Sequence, residues 1–339
     1  MQHARGRFSG RRRLPALLLV LLICGGLSAC QVPVFRFALE RWKADSYRLV
    51  ILHRGHELES DRQAVQSLLH LAQRNPLLQV RETALSERSP QVLQRLYDSA
   101  QVSSGPVVAA FYPARSGIPA GTAAFVMPVA EAGTQGLLRS PIQDQLIQRL
   151  AAGDSVVWLF LAGGHADQDR AARRLLTEQL EQLQQQLRLP TADELQVPPA
   201  ILQKLNVPFQ LRFSVLDVPA SDEQERCLRE TLLNSEPDLR ELEQPIVFPV
   251  FGRGRVLYAL AGAGINAGTI RAATEFLTGP CSCQVKEENP GFDLPLSNDW
   301  EQSLGDVLLS SPIPERSRAP VTLPIPPGRD RKRAAESSQ

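Results

Sequence analysis

The chain has 339 residues, and its 37 Lys+Arg against 36 Asp+Glu leave a formal net charge of +1, a balance that argues against nucleic-acid binding, where a basic excess is the rule. A hydrophobic fraction of 43% supports a packed core and excludes a wholly disordered chain; the length exceeds one small domain and suits two. Five cysteines over this length exclude a disulfide-stapled miniature.

The first thirty residues carry the strongest local pattern. Arg5, Arg7, Arg11, Arg12 and Arg13 form a basic leader, followed by the apolar run Leu14–Ile23, interrupted only by Pro15. Small residues follow in Gly25-Gly26-Leu27-Ser28-Ala29-Cys30. A basic region, a short apolar core and small residues before a cut form a secretory signal, and the run falls short of the about 20 apolar residues of a membrane span. The ending Leu27-Ser28-Ala29-Cys30 resembles the lipobox of bacterial lipoproteins. That resemblance implies removal of residues 1–29, lipidation of Cys30, and export to an extracytoplasmic face of the cell membrane or outer membrane. Gln31, where an Asp would favour inner-membrane retention, points to the outer membrane. Several acyl chains hold a protein firmly, because each buried methylene contributes about 0.8 kcal/mol. The implied partner is therefore the lipid bilayer.

Residues 30–46, with Phe35, Phe37, Leu39 and Trp42, read as a tether packing partly on the first domain, with amphipathic adhesion to the membrane surface as the alternative. The run Arg48–His53 reads as a buried strand. Ser60-Asp61-Arg62-Gln63 forms a capping box for a helix carrying Ala64, Val65, Leu68, Leu69 and Ala72, which stops before Asn75-Pro76. Leu77–Leu85 is a second strand, and Ser89-Pro90 opens a second helix. Val107–Tyr112 and Thr122–Val129 form a hairpin, and Ser140-Pro141-Ile142-Gln143 caps a helix ending near Gly153.

The second half runs through a similar order. Ser155–Leu161 is a buried strand. Asp167–Leu189 is a long helix whose Leu176, Leu180, Leu183 and Leu187 are better placed to cover its own sheet than a partner helix. Phe209–Val218 is a strand, and Ser221-Asp222-Glu223-Gln224 opens a helix through Leu233. Ile246–Phe251 and Arg255–Ala261 form a hairpin around Gly252-Arg253-Gly254, and Thr269–Leu277 closes before Gly279-Pro280.

Each half thus reads strand–helix–strand–helix–strand–strand–helix. The order resembles the thioredoxin fold, which implies an α/β protein of two tandem thioredoxin-like domains, each a mixed sheet flanked by helices. The boundaries are 47–153 for the first domain and 154–311 for the second, the latter with a C-terminal CxC loop. The same resemblance implies a cis-proline before the third strand of each domain, at Pro106 and Pro245. The reactive CxxC of that family would lie between first strand and first helix, where a helix N-terminus stabilises thiolate. The first half has His53-Arg54-Gly55-His56 there and the second Ala162-Gly163-Gly164-His165, so no catalytic residue is carried over.

Other chemistry has few footholds. His53 and His56 are weak candidates for a metal, since a firm site wants three or four ligands. Cys281 and Cys283 flank Ser282, and three arrangements are open to them: a structural disulfide from one of them to Cys227, a strained mutual disulfide with redox activity, or chelation of a soft ion such as Cu(I). Asp293 and Asp299 with Trp300 are expected to close a C-terminal lobe. No P-loop, HExxH or GxSxG pattern is present. Residues 312–339, rich in Pro, Ser and Arg, read as a disordered tail. The expected function is a lipid-anchored, non-enzymatic binding or assembly module of the cell envelope, needing no cofactor and engaging an unidentified envelope protein. The alternative is a thiol–disulfide or copper-handling protein using Cys281 and Cys283.

Overall fold

The computed structural model describes residues 31–55, 59–102, 104–132, 137–281 and 285–310. The leader, Cys30, His56, Cys283 and the expected tail lie outside the described residues. Among those described, no helix is long and apolar enough to cross a membrane. The protein is α/β, with two mixed sheets flanked by helices.

Helix α1 (Val34–Arg41) is followed by β1 (Tyr47–His53), α2 (Glu59–Arg74), β2 (Leu78–Ala84), α3 (Gln91–Ser99), β3 (Val107–Phe111) and β4 (Ala123–Pro128). The four strands form one sheet in the order β2-β1-β3-β4. β1 and β2 run parallel, and β3 is antiparallel to both β1 and β4. After the single turn α4 (Val129–Ala132) come α5 (Pro141–Ala151), β5 (Val156–Leu161), α6 (Ala166–Gln186), the short α7 (Pro199–Gln203), β6 (Phe213–Val218) and α8 (Arg226–Leu233). The chain then forms β7 (Ile246–Phe251), β8 (Arg255–Val256), β9 (Leu260–Ala261), α9 (Ala267–Thr278), β10 (Phe292–Asp293) and α10 (Trp300–Leu304). The second sheet is six-stranded in the order β10-β8-β7-β5-β6, with β9 pairing β7. Again the first two strands of the half are parallel (β5, β6) and the third is antiparallel to the first (β7 to β5).

The continuous apolar run of β5 follows from a sheet covered on both faces. Because successive side chains alternate across a strand, Val157, Leu159 and Leu161 enter a core shared by the two halves, whereas Val156, Trp158 and Phe160 enter a second core under α1, α6 and α9. β1 divides likewise: Tyr47, Leu49 and Ile51 face the shared core, Val50 and Leu52 a smaller one under α3. The shared core also takes Val65 and Leu68 of α2, Phe125 and Met127 of β4, and Leu228 and Leu232 of α8. Directed bonds reinforce it: Tyr112 Oη donates to the Thr231 carbonyl, and Asn234 Nδ2 donates to the Ala124 carbonyl at 2.8 Å.

Several expectations change. Residues 31–41, expected as a tether packing partly on the first half, instead include a buried helix on the second. Val34, Phe35, Phe37, Ala38 and Leu39 are all buried, and α1 packs on β7 and α9 of the second half. Its apolar side chains complete a face of the second sheet, and truncating a buried Phe of this kind typically costs about 3–5 kcal/mol. The helix α5, read as the closing element of the first half, packs along β5 and β6 instead, with Arg149 Nη1 donating to the Val215 carbonyl at 3.1 Å. Its N-cap is as expected, Ser140 Oγ accepting from Gln143 N at 3.2 Å. Arg255–Ala261 is not one strand. Its register on β7 slips by one residue between Val250↔Val256 and Val247↔Leu260, which splits it into β8 and β9. The cap before α8 is Asp222 rather than Ser221, and it opens a short 3₁₀ turn before the helix. The leucines of α6 do cover their own sheet, with Leu176, Leu180 and Leu183 buried.

Gly252 turns the β7–β8 hairpin at φ +62°, and a Cβ there would stand 2.8 Å from the Ala38 Cβ. Glycine is therefore required by both the turn and the approach of α1.

Candidate functional site

The two corners where a first strand meets a first helix are built alike in position but not in chemistry. After β5, the N–H groups of Gly163 and Gly164 donate to the two carboxylate oxygens of Asp169 at 2.7 and 3.2 Å. The loop lies directly on the segment before Pro245, so that a Cβ at Gly163 would be 2.3 Å from the Gln244 carbonyl carbon. His165 sits at the rim, 3.8 Å from a Glu243 carboxylate oxygen. In the first half, His53 ends β1 with Nε2 3.3 Å from a Glu82 oxygen, and the Asp61 carboxylate lies beside Gly105. Both corners therefore carry a carboxylate near the start of the following helix, where the dipole favours negative charge.

Pro106 and Pro245 stand at the expected places, before β3 and β7, but neither is cis: among the described residues all peptide bonds are trans. Each proline sits in extended pairing, its carbonyl accepting from Val129 N at 3.0 Å or from Gly262 N at 2.9 Å, and trans is the preferred isomer by about 0.5–1 kcal/mol.

The cysteines are separated by the second sheet. Cys227, on α8, is a buried, unbridged thiol in the shared core with its Sγ 3.7 Å from Met127 Sδ. Burial pushes its pKa up to about 12. Cys281 is buried in the other core, beneath α1 and α9. The Cys227 thiol thus makes no bridge to Cys281, since the sheet stands between their two cores. Among the described residues no group of three or more His, Cys, Asp or Glu side chains is arranged to hold a metal ion.

Around Cys281 two segments far apart in the chain converge. Cys281 N donates to the Val32 carbonyl at 3.0 Å, Val34 N donates to the Gly279 carbonyl at 3.0 Å, and Pro33 and Pro280 form a bridge. The segment following Cys30 is thereby laced antiparallel to the segment entering the CxC loop. Beside this lacing lies an open groove of about 660 Å³, lined by Gln31, Glu275, Pro280 and the loop from Leu187 to Gln196. The loop is held by a bidentate pair, Arg188 Nη1 and Nη2 each donating to Glu194 at 2.8 Å. With Thr191 N also donating to it, the Glu194 carboxyl is held down to about 2.

Buried charge joins distant segments elsewhere. Asp293 accepts from Arg255 Nη1 at 3.1 Å, from Asp45 N at 2.8 Å and from Lys286 Nζ, which also pairs with Asp45 at 3.0 Å. Glu40 accepts from Arg36 Nε at 2.6 Å, from the N–H groups of Leu309 and Ser310 at 3.0 and 2.7 Å, and from Ser310 Oγ at 2.6 Å. Glu225 is fully buried and accepts from Ser140 Oγ and Ile142 N, which ties α8 to the start of α5; burial raises its pKa. These groups join structure to structure. Asp293 belongs to the interior of the C-terminal lobe, and Asp299 caps α10 by accepting from Gln302 N at 2.9 Å.

Sequence reading did not single out Asp169, the groove, or the roles of Glu40 and Arg255. Gly163-Gly164 followed by an acid in the next turn is the one local signal that could have located Asp169. The groove has none, because its walls lie far apart in the chain. Comparisons with protein-family models, with curated proteins and with solved structures find no match.

Proposed function

We propose that this chain is a lipid-anchored protein of the cell envelope, built of two thioredoxin-like units and acting as a non-enzymatic binding or assembly module. The shared strand order of the two sheets, β2-β1-β3-β4 and β6-β5-β7-β8, supports the thioredoxin-like reading. The observation that carries the non-enzymatic reading is the Asp169 carboxylate on the Gly163 and Gly164 amides. Those donors, which in a thiol enzyme would stabilise a thiolate, are already committed to a residue of the chain itself, so the corner serves as a rigid scaffold. The lipobox-like Leu27-Ser28-Ala29-Cys30 supports the anchor.

Two variants test this. Cys30→Ala is expected to move the protein from the membrane fraction to the soluble fraction, and persistent attachment would overturn the anchor. The double change Cys281→Ser with Cys283→Ser is expected to leave envelope partners captured by crosslinking in living cells unchanged. Wild-type reduction of a model disulfide that disappears in this double variant would transfer the function to thiol chemistry.

A further inference from the structure

We infer that the groove beside Gln31, together with the exposed end of α9, is the face of the protein that rests on the bilayer. The inference builds on the anchored reading above and adds an orientation to it. Three backbone contacts pin Val32, Pro33 and Val34 to Gly279, Pro280 and Cys281. Consecutive Cα atoms are about 3.8 Å apart, so the Cys30 Cα lies within about 7.6 Å of the Val32 Cα. An acyl anchor at Cys30 would therefore attach within two residues of this lacing, which keeps the surface around Gln31 close to the lipid.

That surface has the right chemistry. Ala272 and Phe276 stand four residues apart on one face of α9, Pro280 lies just beyond its extended Gly279 C-cap, and all three are exposed. Phe276, at 40% exposure, is one of two large hydrophobic residues left open among the described residues; the other, Val92, is on α3, a different element of the fold. An exposed aromatic beside an anchor point suits the membrane interface, where an apolar body meets headgroups. Of the charges lining the groove, Arg188 pairs with Glu194 and Glu275 pairs with Arg271 beside it, while Asp193 adds a further negative charge. Insertion is therefore assigned to the apolar Phe276, and it does not depend on anionic lipid, because Arg188, the cation lining the groove, is already paired with Glu194.

The test uses the lipidated full chain reconstituted into phosphatidylcholine vesicles carrying brominated acyl chains, with and without phosphatidylglycerol. The native tryptophans, Trp42, Trp158 and Trp300, are buried, so a new surface tryptophan reports separately. In Phe276→Trp, a blue shift and quenching by brominated lipid are expected in both lipid mixtures. In Val92→Trp, emission is expected to stay that of a water-exposed indole. If Phe276→Trp stays water-like while the protein floats with the vesicles, or if Val92→Trp is quenched equally, the orientation is overturned and the anchor stands. If Cys30→Ala floats as well as wild type, the anchor fails, and the orientation fails with it.

Discussion

Asp293 offers the sharpest test of how the two halves are held. It is 3% exposed and is shared by two cations, Arg255 at 3% and Lys286 at 9% exposure. Asp45, at the entrance to β1, supplies the second anion through Lys286, and Tyr47 Oη donates to the Asp293 carbonyl at 2.8 Å. Asp293→Asn keeps the size of the side chain but leaves two buried cations facing one carboxylate. Breaking a buried pair by removing one partner costs about 3–5 kcal/mol, because the remaining charge is stranded in low dielectric. Lys286→Met alone should also destabilise, since it strands the negative charge. The double variant Asp293→Asn with Lys286→Met leaves one charge of each sign, Arg255 and the partly exposed Asp45, and should lose less than the two single losses added together. Urea unfolding followed by far-UV circular dichroism measures all three, and the coupling is the departure from additivity. If each single change costs under about 1 kcal/mol and the two add, the cluster behaves as an exposed ion pair, and the account of a buried clasp is refuted.

Glu40→Ala should likewise destabilise by about 3–5 kcal/mol, because it strands the buried Arg36 guanidinium; limited proteolysis should then cut near Leu309 and Ser310, which Glu40 holds in the wild type, and unchanged resistance would contradict that clamp. Gly163→Ala places a Cβ 2.3 Å from rigid backbone at Gln244, so a lower melting temperature is expected, whereas Gly164→Ala meets no neighbour within 4 Å and should suffer only from its φ of +91°, a strain of about 1–2 kcal/mol; equal melting temperatures for Gly163→Ala and wild type would refute the contact. Cys227, buried and with its pKa pushed up to about 12, should resist iodoacetamide at pH 8 in the native protein and react on unfolding, as read by peptide mass mapping; fast native alkylation would show the site to be open.

The order of elements was legible in the chain because it rests on local physics. The β-branched and aromatic runs of β1, β5 and β7, the Ser140 cap, the Gly252 turn and the leucine spacing of α6 each depend on near neighbours, and each stands close to where pattern reading puts it. Two corners without cysteine were legible for the same reason. Placement was not legible. Whether Val34–Arg41 is a tether or a core helix depends on a vacant apolar face of β7 and α9, which no local pattern announces. The helix after Ser140 belongs to the second sheet because it packs along β5 and β6, with Arg149 Nη1 donating to the Val215 carbonyl far along the chain.

Sequence alone determined the order of most helices and strands and the absence of a CxxC at both strand–helix corners. Tertiary structure decided which segments meet: Cys227 and Cys281 on opposite sides of a sheet, Asp169 on the Gly163 and Gly164 amides, and the entry of the chain at Gln31 laced to the exit from α9. The reason is physical. Propensity and capping act over a few residues, whereas burial of apolar faces and compensation of buried charge act between surfaces brought together only by folding.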